Sequence, residues 1–270
     1  MRTATTAPER VGHAVFVTFV TLAYVFLMAP IVVVVLASLN AGNYLKFPPE
    51  GLSLRWYATF FHSAPFLNAM AVSLRVAVIA TILSTIIGTL AAVYYTRFTT
   101  WGRQTLRMVM IAPMLLPEVL TAIALLLYYY VIGLGTQTLI GLQIGHVLVT
   151  MPYVFLNVTA NLGNLDPALE EAARSLGASP AAAFSRISLP LMKQGVVNGA
   201  MFAFIISFDL FSISLLLKGV DTVTLPIQLF DYLQWNFDPT AAAVSTMSIL
   251  VTLTVVLLTD RFVGLRTVRF

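Results

Sequence analysis

Long apolar runs separated by short polar stretches dominate this chain. They lie at Val15–Ser38, Ala69–Tyr95, Leu106–Ile132, Leu139–Asn161, Val196–Leu217 and Ala242–Leu258. A helix needs about 20 apolar residues to cross a hydrocarbon core about 30 Å thick, so the pattern predicts six transmembrane helices. The first run is too long for the apolar part of a cleavable signal peptide. It also continues through "IVVVVLASL" without a small-residue cleavage site, so it is expected to persist as a helix.

One polar segment departs from this pattern, "NLDPALEEAARSLGASPAAAFSRISLP", residues 164–190. Asp166 followed by Pro167 is a helix start: a carboxylate caps free backbone N–H groups, and proline at the first helical position gives up no hydrogen bond. Leu165, Leu169, Ala172, Ala173 and Leu176 recur at three- and four-residue spacing, whereas Glu170, Glu171 and Arg174 fall elsewhere on the helical wheel. Gly177 supplies the residue best suited to a left-handed stop. Ser179 and Pro180 then repeat the start signal, and "AAAFSRI" is expected to form a second short helix ending before Pro190. Two short helices at an angle between the fourth and fifth spans predict a protruding knob with an apolar face. An interfacial linker lying on lipid headgroups is the plainer alternative.

Composition strengthens the membrane reading. Of 270 residues 59% are hydrophobic and 10% charged, against about 25% charged in soluble domains. The net charge of +4 reflects orientation rather than a nucleic-acid surface. Arg2, Arg10, Arg97, Arg103, Arg107, Arg174, Arg186, Lys193, Arg261, Arg266 and Arg269 fall on one side of a six-span layout. Lys46, Arg55 and Lys218 fall on the other, and Arg75 lies near a boundary. The basic side faces the cytoplasm, so both termini and the 164–190 segment are expected there. No cysteine is present, which excludes a disulfide framework, a thiolate metal site and a cysteine nucleophile. The two longer connections on the opposite side carry Trp56, Tyr57, Tyr232 and Trp235, which read as an interfacial aromatic belt or as a docking face for an extracytoplasmic partner. No internal repeat or linker divides the chain, so residues 1–270 are expected to form a single domain.

The stretch "EAARSLGASPAAAFSRISLP" resembles the EAA motif of binding-protein-dependent ABC importer permeases, with Glu171, Ala172, Ala173, Gly177, Ile187, Leu189 and Pro190 at its fixed positions. The resemblance implies an all-α membrane protein of the type I ABC importer permease fold, with six spans and a cytoplasmic coupling-helix pair. It also implies that Glu170, Glu171, Ala172, Ala173, Arg174, Gly177, Ala178, Phe184, Ile187, Leu189 and Pro190 dock into a separate ATPase. The stretches "LSLRWYATFF", "PMLLPEVLTAIALLL", "HVLVTMPYVFLNV" and "TLPIQLF" look like the polyamine, opine and phosphonate branch, the spermidine/putrescine subunit in particular. The implied partners are a second, related permease, two ATP-binding subunits and a substrate-binding protein, all in or at the cytoplasmic membrane. ATP and magnesium would sit on the partner ATPase, with no cofactor on this chain.

Ionisable residues within spans are costly, about 2.5–3.5 kcal/mol on insertion scales, and are kept where they face protein or water. Asp209 is placed by the pattern in the middle of the fifth span, Glu118 just after Pro117 in the third, and His146 at the head of the fourth. Asp209 between Phe208 and Phe211 suits a cationic solute on a translocation path, because ring faces attract ammonium groups. Pairing with Arg75 is the structural alternative. The resembling polyamine permeases carry an acidic pair here, whereas this chain has Leu210 at the second position, which leaves room for a zwitterion or monocation. Glu118 is read first as serving the proline-bent third helix, and second as lining the path. His146 is read as a packing and hydrogen-bonding residue.

No G-x-x-x-x-G-K-[ST] loop, G-x-S-x-G elbow or H-E-x-x-H pair occurs, so the chain is not expected to act as an enzyme or to hydrolyse ATP. An ion-coupled carrier relaying protons through Asp209, Glu118 and His146 is the remaining rival. The 164–190 segment argues against it, since such a carrier needs no ATPase contact.

Overall fold

The structure, a computed structural model, describes residues 7–99, 101–134, 138–166 and 168–263. Apolar composition without strand-like alternation makes the described residues predominantly helical. The described residues hold no β-sheet, and a single antiparallel bridge joins Asn40 to Leu52.

The chain divides into two compact units. The first comprises residues 1–63 and 232–249. Its helix α1 (Ala7–Ser38) is long enough to span a membrane and is exposed through most of its length, Phe26 by 79%. The loop after it is organised by Asn40, which is fully buried. The Asn40 Oδ1 accepts from the backbone of Gly42 and Glu50 at 3.0 and 2.9 Å, and its amide donates to the Tyr44 carbonyl. The Trp56 indole on α2 (Arg55–His62) donates to the Asn40 carbonyl at 2.8 Å, closing the turn. Arg55 donates to the Gly42 carbonyl and lies over the Trp56 ring at 4.3 Å.

The second unit comprises residues 64–231 and 250–270. Its centre is a three-helix pack of α3 (Ala64–Arg97), α6 (Leu139–Gly163) and α9 (Leu189–Phe208). Small residues make the close approach possible, as is usual where helices pack within lipid. Gly88 on α3 and Gly199 on α9 face Val154 from two sides, and Gly195 faces Asn161. A buried hydroxyl pair, Ser84 and Thr150 at 2.7 Å, links α3 to α6. A second apolar cluster joins α6 to α5 (Glu118–Val131) and α10 (Phe211–Leu217), through Ala122, Tyr129, Leu142, Ile213 and Leu217. The remaining elements are α4 (Arg103–Leu115), α7 (Ala168–Ser175), α8 (Pro180–Ala183), α11 (Leu225–Leu233) and α12 (Thr240–Val263), whose two ends belong to different units.

Two of the six apolar runs are not straight spans, the third as its proline leads one to expect and the fifth against expectation. The third is a pair, α4 and α5, bent by 103° at Leu116–Pro117. A residue before proline is driven from the helical region, and Leu116 is extended at φ −83°, ψ 143°. The fifth begins earlier, at Pro180, and its long helix stops at Phe208. Asp209 and Leu210 leave the helical conformation before α10 resumes, so Asp209 lies at a break rather than inside a helix.

The expected stop before Pro190 is also overturned. A π-helical turn, Phe184–Ser188, carries α8 directly into α9, with Pro190 in the first turn of α9. Its wider spacing, seen in Leu189 N–H bonding to the Phe184 carbonyl, lets the backbone pass a residue that has no N–H to give. The second helix of the knob is therefore continuous with a span.

Candidate coupling knob and translocation site

The knob is built by local capping. Asp166 Oδ1 accepts from Ala168 N–H at 2.9 Å, while Pro167 lies outside the described residues. Glu170 and Glu171 occupy the first turn of α7, where carboxylates offset the helix dipole. At the other end Gly177 has φ +93°, with Gly177 N–H bonding to Arg174 O and Ala178 N–H to Ala173 O. This is a Schellman stop, which needs a left-handed residue. Ser179 then caps α8 through Ala182 N–H.

The two adjacent glutamates divide the work. Glu170 forms an ion pair with Arg97 at the end of α3, at 3.1 Å and with side chains 20–23% exposed. It also accepts a hydrogen bond from Ser188 in the π turn, and so ties α7 to two other elements. Glu171 is exposed, as are Ala172, Arg174, Gly177, Leu189 and Pro190. Leu176 is 90% exposed, which leaves an uncovered apolar face. Ala173, Ala178 and Ile187 are half-buried, and Phe184 packs against the α3–α6–α9 core. A groove of about 550 Å³ runs between α7, α8 and the end of α3, lined by Arg97, Glu170, Glu171, Arg174 and Phe184 among others. Arg97 and Ser188 were not legible as site residues, because their meeting with Glu170 depends on long-range packing.

The residues of the candidate path are placed differently from one another. Asp209 is exposed, and among the described residues no ion pair joins it to Arg75, itself exposed on α3. Phe208 is 1% exposed and stacked on Phe204 with centroids 5.9 Å apart, so its ring belongs to the core rather than to an open face. Phe211 is half-buried with its ring edge-to-face on Phe230 at 5.3 Å. Glu118 is exposed at the N-terminus of α5, directly beyond the bend, where the helix dipole favours a carboxylate.

His146 is fully buried on α6 and meets both sides of the Asp209 break. Its Nδ1 lies 2.8 Å from Ser207 Oγ on α9, and its Nε2 lies 3.0 Å from Ser214 Oγ on α10. Both ring nitrogens thus engage hydroxyls. Their sequence signal was faint: two serines seven residues apart around a lone aspartate.

A bundle with several membrane-crossing helices, a broken span carrying an exposed carboxylate and a capped knob defines a multi-pass membrane permease. The chain belongs to the binding-protein-dependent transport system inner membrane components, whose family model matches residues 84–266, and it is a permease subunit of an ABC importer. It is 31% identical to the spermidine/putrescine transport system permease protein PotC of Haemophilus influenzae, over 90% of this chain and 93% of that protein. It is likewise 31% identical to the putrescine transport system permease protein PotI of Escherichia coli, over 84% and 82%. In fold it is similar to a chain of a bacterial ABC transporter involved in the import of the acidic polysaccharide alginate, with TM-score 0.75, 17% identity and 97% of each chain covered. A chain of the MetNI methionine ABC transporter superposes with TM-score 0.64 at 18% identity, over 75% of this chain and 98% of that one.

Proposed function

We propose that this subunit imports a polyamine or related small amine, delivered by an extracytoplasmic binding protein and driven by ATP hydrolysis on two separate subunits. The exposed carboxylate of Asp209 at a helix break carries the cationic cargo reading, together with the substrates named for the two relatives. Backbone breaks at membrane depth are tolerated where they line a cavity, and a carboxylate there favours an ammonium group. Phe211 and Glu118 complete the path, while Phe208 supports it from the core.

The knob is the ATPase contact. Glu171, Leu176 and Gly177 present charge, apolar surface and a fixed turn outward, and the continuous α8–π–α9 rod carries displacement from the knob into the span. Preferential binding of ATP to one of two states then drives alternation between inward-open and outward-open cavities. ATP and magnesium act on the partner subunits, and this chain performs no chemistry and holds no cofactor. The apolar, uncovered length of α1 supports a second permease as lateral partner, a related rather than identical chain by resemblance to the polyamine systems. The arginine distribution puts both termini in the cytoplasm.

The test is ATP hydrolysis by the complete importer in liposomes with its binding protein, offered putrescine, an opine-like amino acid conjugate or an aminophosphonate. Putrescine is expected to stimulate hydrolysis, and the other two are not. Asp209→Asn is expected to lower putrescine moved per ATP hydrolysed about tenfold, the worth of a hydrogen bond to a charged group. Stimulation by another solute alone would reassign the cargo within the same importer class.

A further inference from the structure

The break that presents Asp209 has no proline to impose it. Asp209 (φ −99°, ψ 8°) and Leu210 (φ −70°, ψ 95°) leave the helix although nothing covalent forces them to. What spans the break is His146. In an unbroken helix Ser207 and Ser214 would be separated by about 10 Å along the axis. The two nitrogens of an imidazole flank a single carbon, so hydrogen bonds of 2.8 and 3.0 Å through one ring cannot bridge that rise. Both bonds form only when the chain between the serines departs from the helix.

Proton accounting makes the bridge directional. Ser214 Oγ donates its one proton to the Leu210 carbonyl at 2.6 Å, so it accepts from His146 Nε2–H. With Nε2 protonated, Nδ1 of a neutral ring accepts from the Ser207 hydroxyl. Both ring nitrogens and both hydroxyls are then used, and the serine that holds the ring also bonds back to the Leu210 carbonyl at the head of α10. Leu210, whose carbonyl is held, turns inward and is buried, while Asp209 beside it is exposed.

We infer that His146 is a positioning residue for the substrate path: through Ser207 and Ser214 it holds the α9–α10 break in the geometry that points the Asp209 carboxylate outward. The inference rests on the reading of Asp209 as counter-charge to an amine. It predicts a specific energetic coupling between residues that do not touch.

The experiment uses the complete importer in liposomes at saturating binding protein, and reads putrescine transported per ATP hydrolysed together with recovery of the assembled complex. Ser214→Ala and His146→Gln are made alone and in the Asp209→Asn background. Ser214→Ala is expected to lower the ratio about threefold to tenfold, the value of one hydrogen bond, without loss of assembly. His146→Gln keeps one donor and one acceptor and is expected to retain more than half of the wild-type ratio. In the Asp209→Asn background neither change is expected to lower it further. Independent, multiplicative losses in that background, or losses of assembly and transport in proportion, would overturn the positioning role. An Asp209→Asn variant with an unchanged ratio would instead sink the counter-charge reading, while unchanged ratios in Ser214→Ala and His146→Gln beside a defective Asp209→Asn would sink only this inference.

Discussion

Glu171→Lys is expected to reduce ATP-driven uptake about 30-fold or more while leaving the permease folded. Glu171 is exposed, and among the described residues it forms no ion pair, so reversing its charge disrupts nothing that holds this chain together. The internal cost is the dipole contribution of the first turn of α7, about 0.3–1 kcal/mol. The larger loss is expected at the proposed ATPase contact, where truncating one partner of a buried charge pair costs about 2–5 kcal/mol. Its neighbour behaves oppositely. Glu170→Gln releases Arg97 and weakens the Ser188 contact, so it loosens α7 from α3 and the π turn and is expected to expose the knob to protease, at about 1.5–3 kcal/mol. Gly177→Asp forces a side chain into φ +93° with open space around it, so its cost is backbone strain of about 1–2 kcal/mol and a frayed cap. The three variants are compared by ATPase co-purification, uptake, and limited proteolysis of the knob. Full uptake with normal ATPase retention in Glu171→Lys would refute the coupling assignment.

The knob was legible because its signals are local. Asp166, Gly177 and Ser179 each act within a few residues of their own backbone, and the structure places all three as caps. The bend of the third span was legible from Pro117, whereas the break of the fifth was not, because hydropathy integrates over a window and is blind to two dihedral angles. Proline is an uneven guide: Pro30, Pro113 and Pro152 sit inside helices, whereas Pro117 ends one. Asp209 was recognised as unusual, but its place at a break depends on His146, more than sixty residues away. The burial of Phe208 was not legible for a related reason. Adjacency to Asp209 put it on the path, yet the helix end turns it inward onto Phe204. Glu170 and Glu171 were both read as docking residues, and what sets them apart, the Arg97 ion pair of Glu170, depends on packing.

Gly199→Val is expected to leave no recoverable permease, and Gly88→Ala to be severely destabilising. A Cβ at Gly199 would lie 2.8 Å from the Val154 Cα, and one at Gly88 would lie 2.8 Å from the Val154 Cβ and 3.0 Å from the Met151 carbonyl and the Phe155 nitrogen. Several of these neighbours are backbone, so no rotamer change relieves the contact and α6 must move away from α3 or α9. Overpacking a core site costs about 1–3 kcal/mol or more even where side chains yield, and here a branched side chain is added against a main chain. The loss extends beyond one contact, because opening this seam stretches the buried Ser84–Thr150 pair. Gly163→Ala is the control: it lies at the end of α6 with nothing within 4 Å of the new Cβ, and its Tm should change by less than about 2 °C. The measurement is thermal unfolding and size-exclusion behaviour of the purified complex for all three variants. A monodisperse Gly199→Val complex with near-wild-type Tm would mean that α3, α6 and α9 separate readily, which would make this seam a place where the permease flexes.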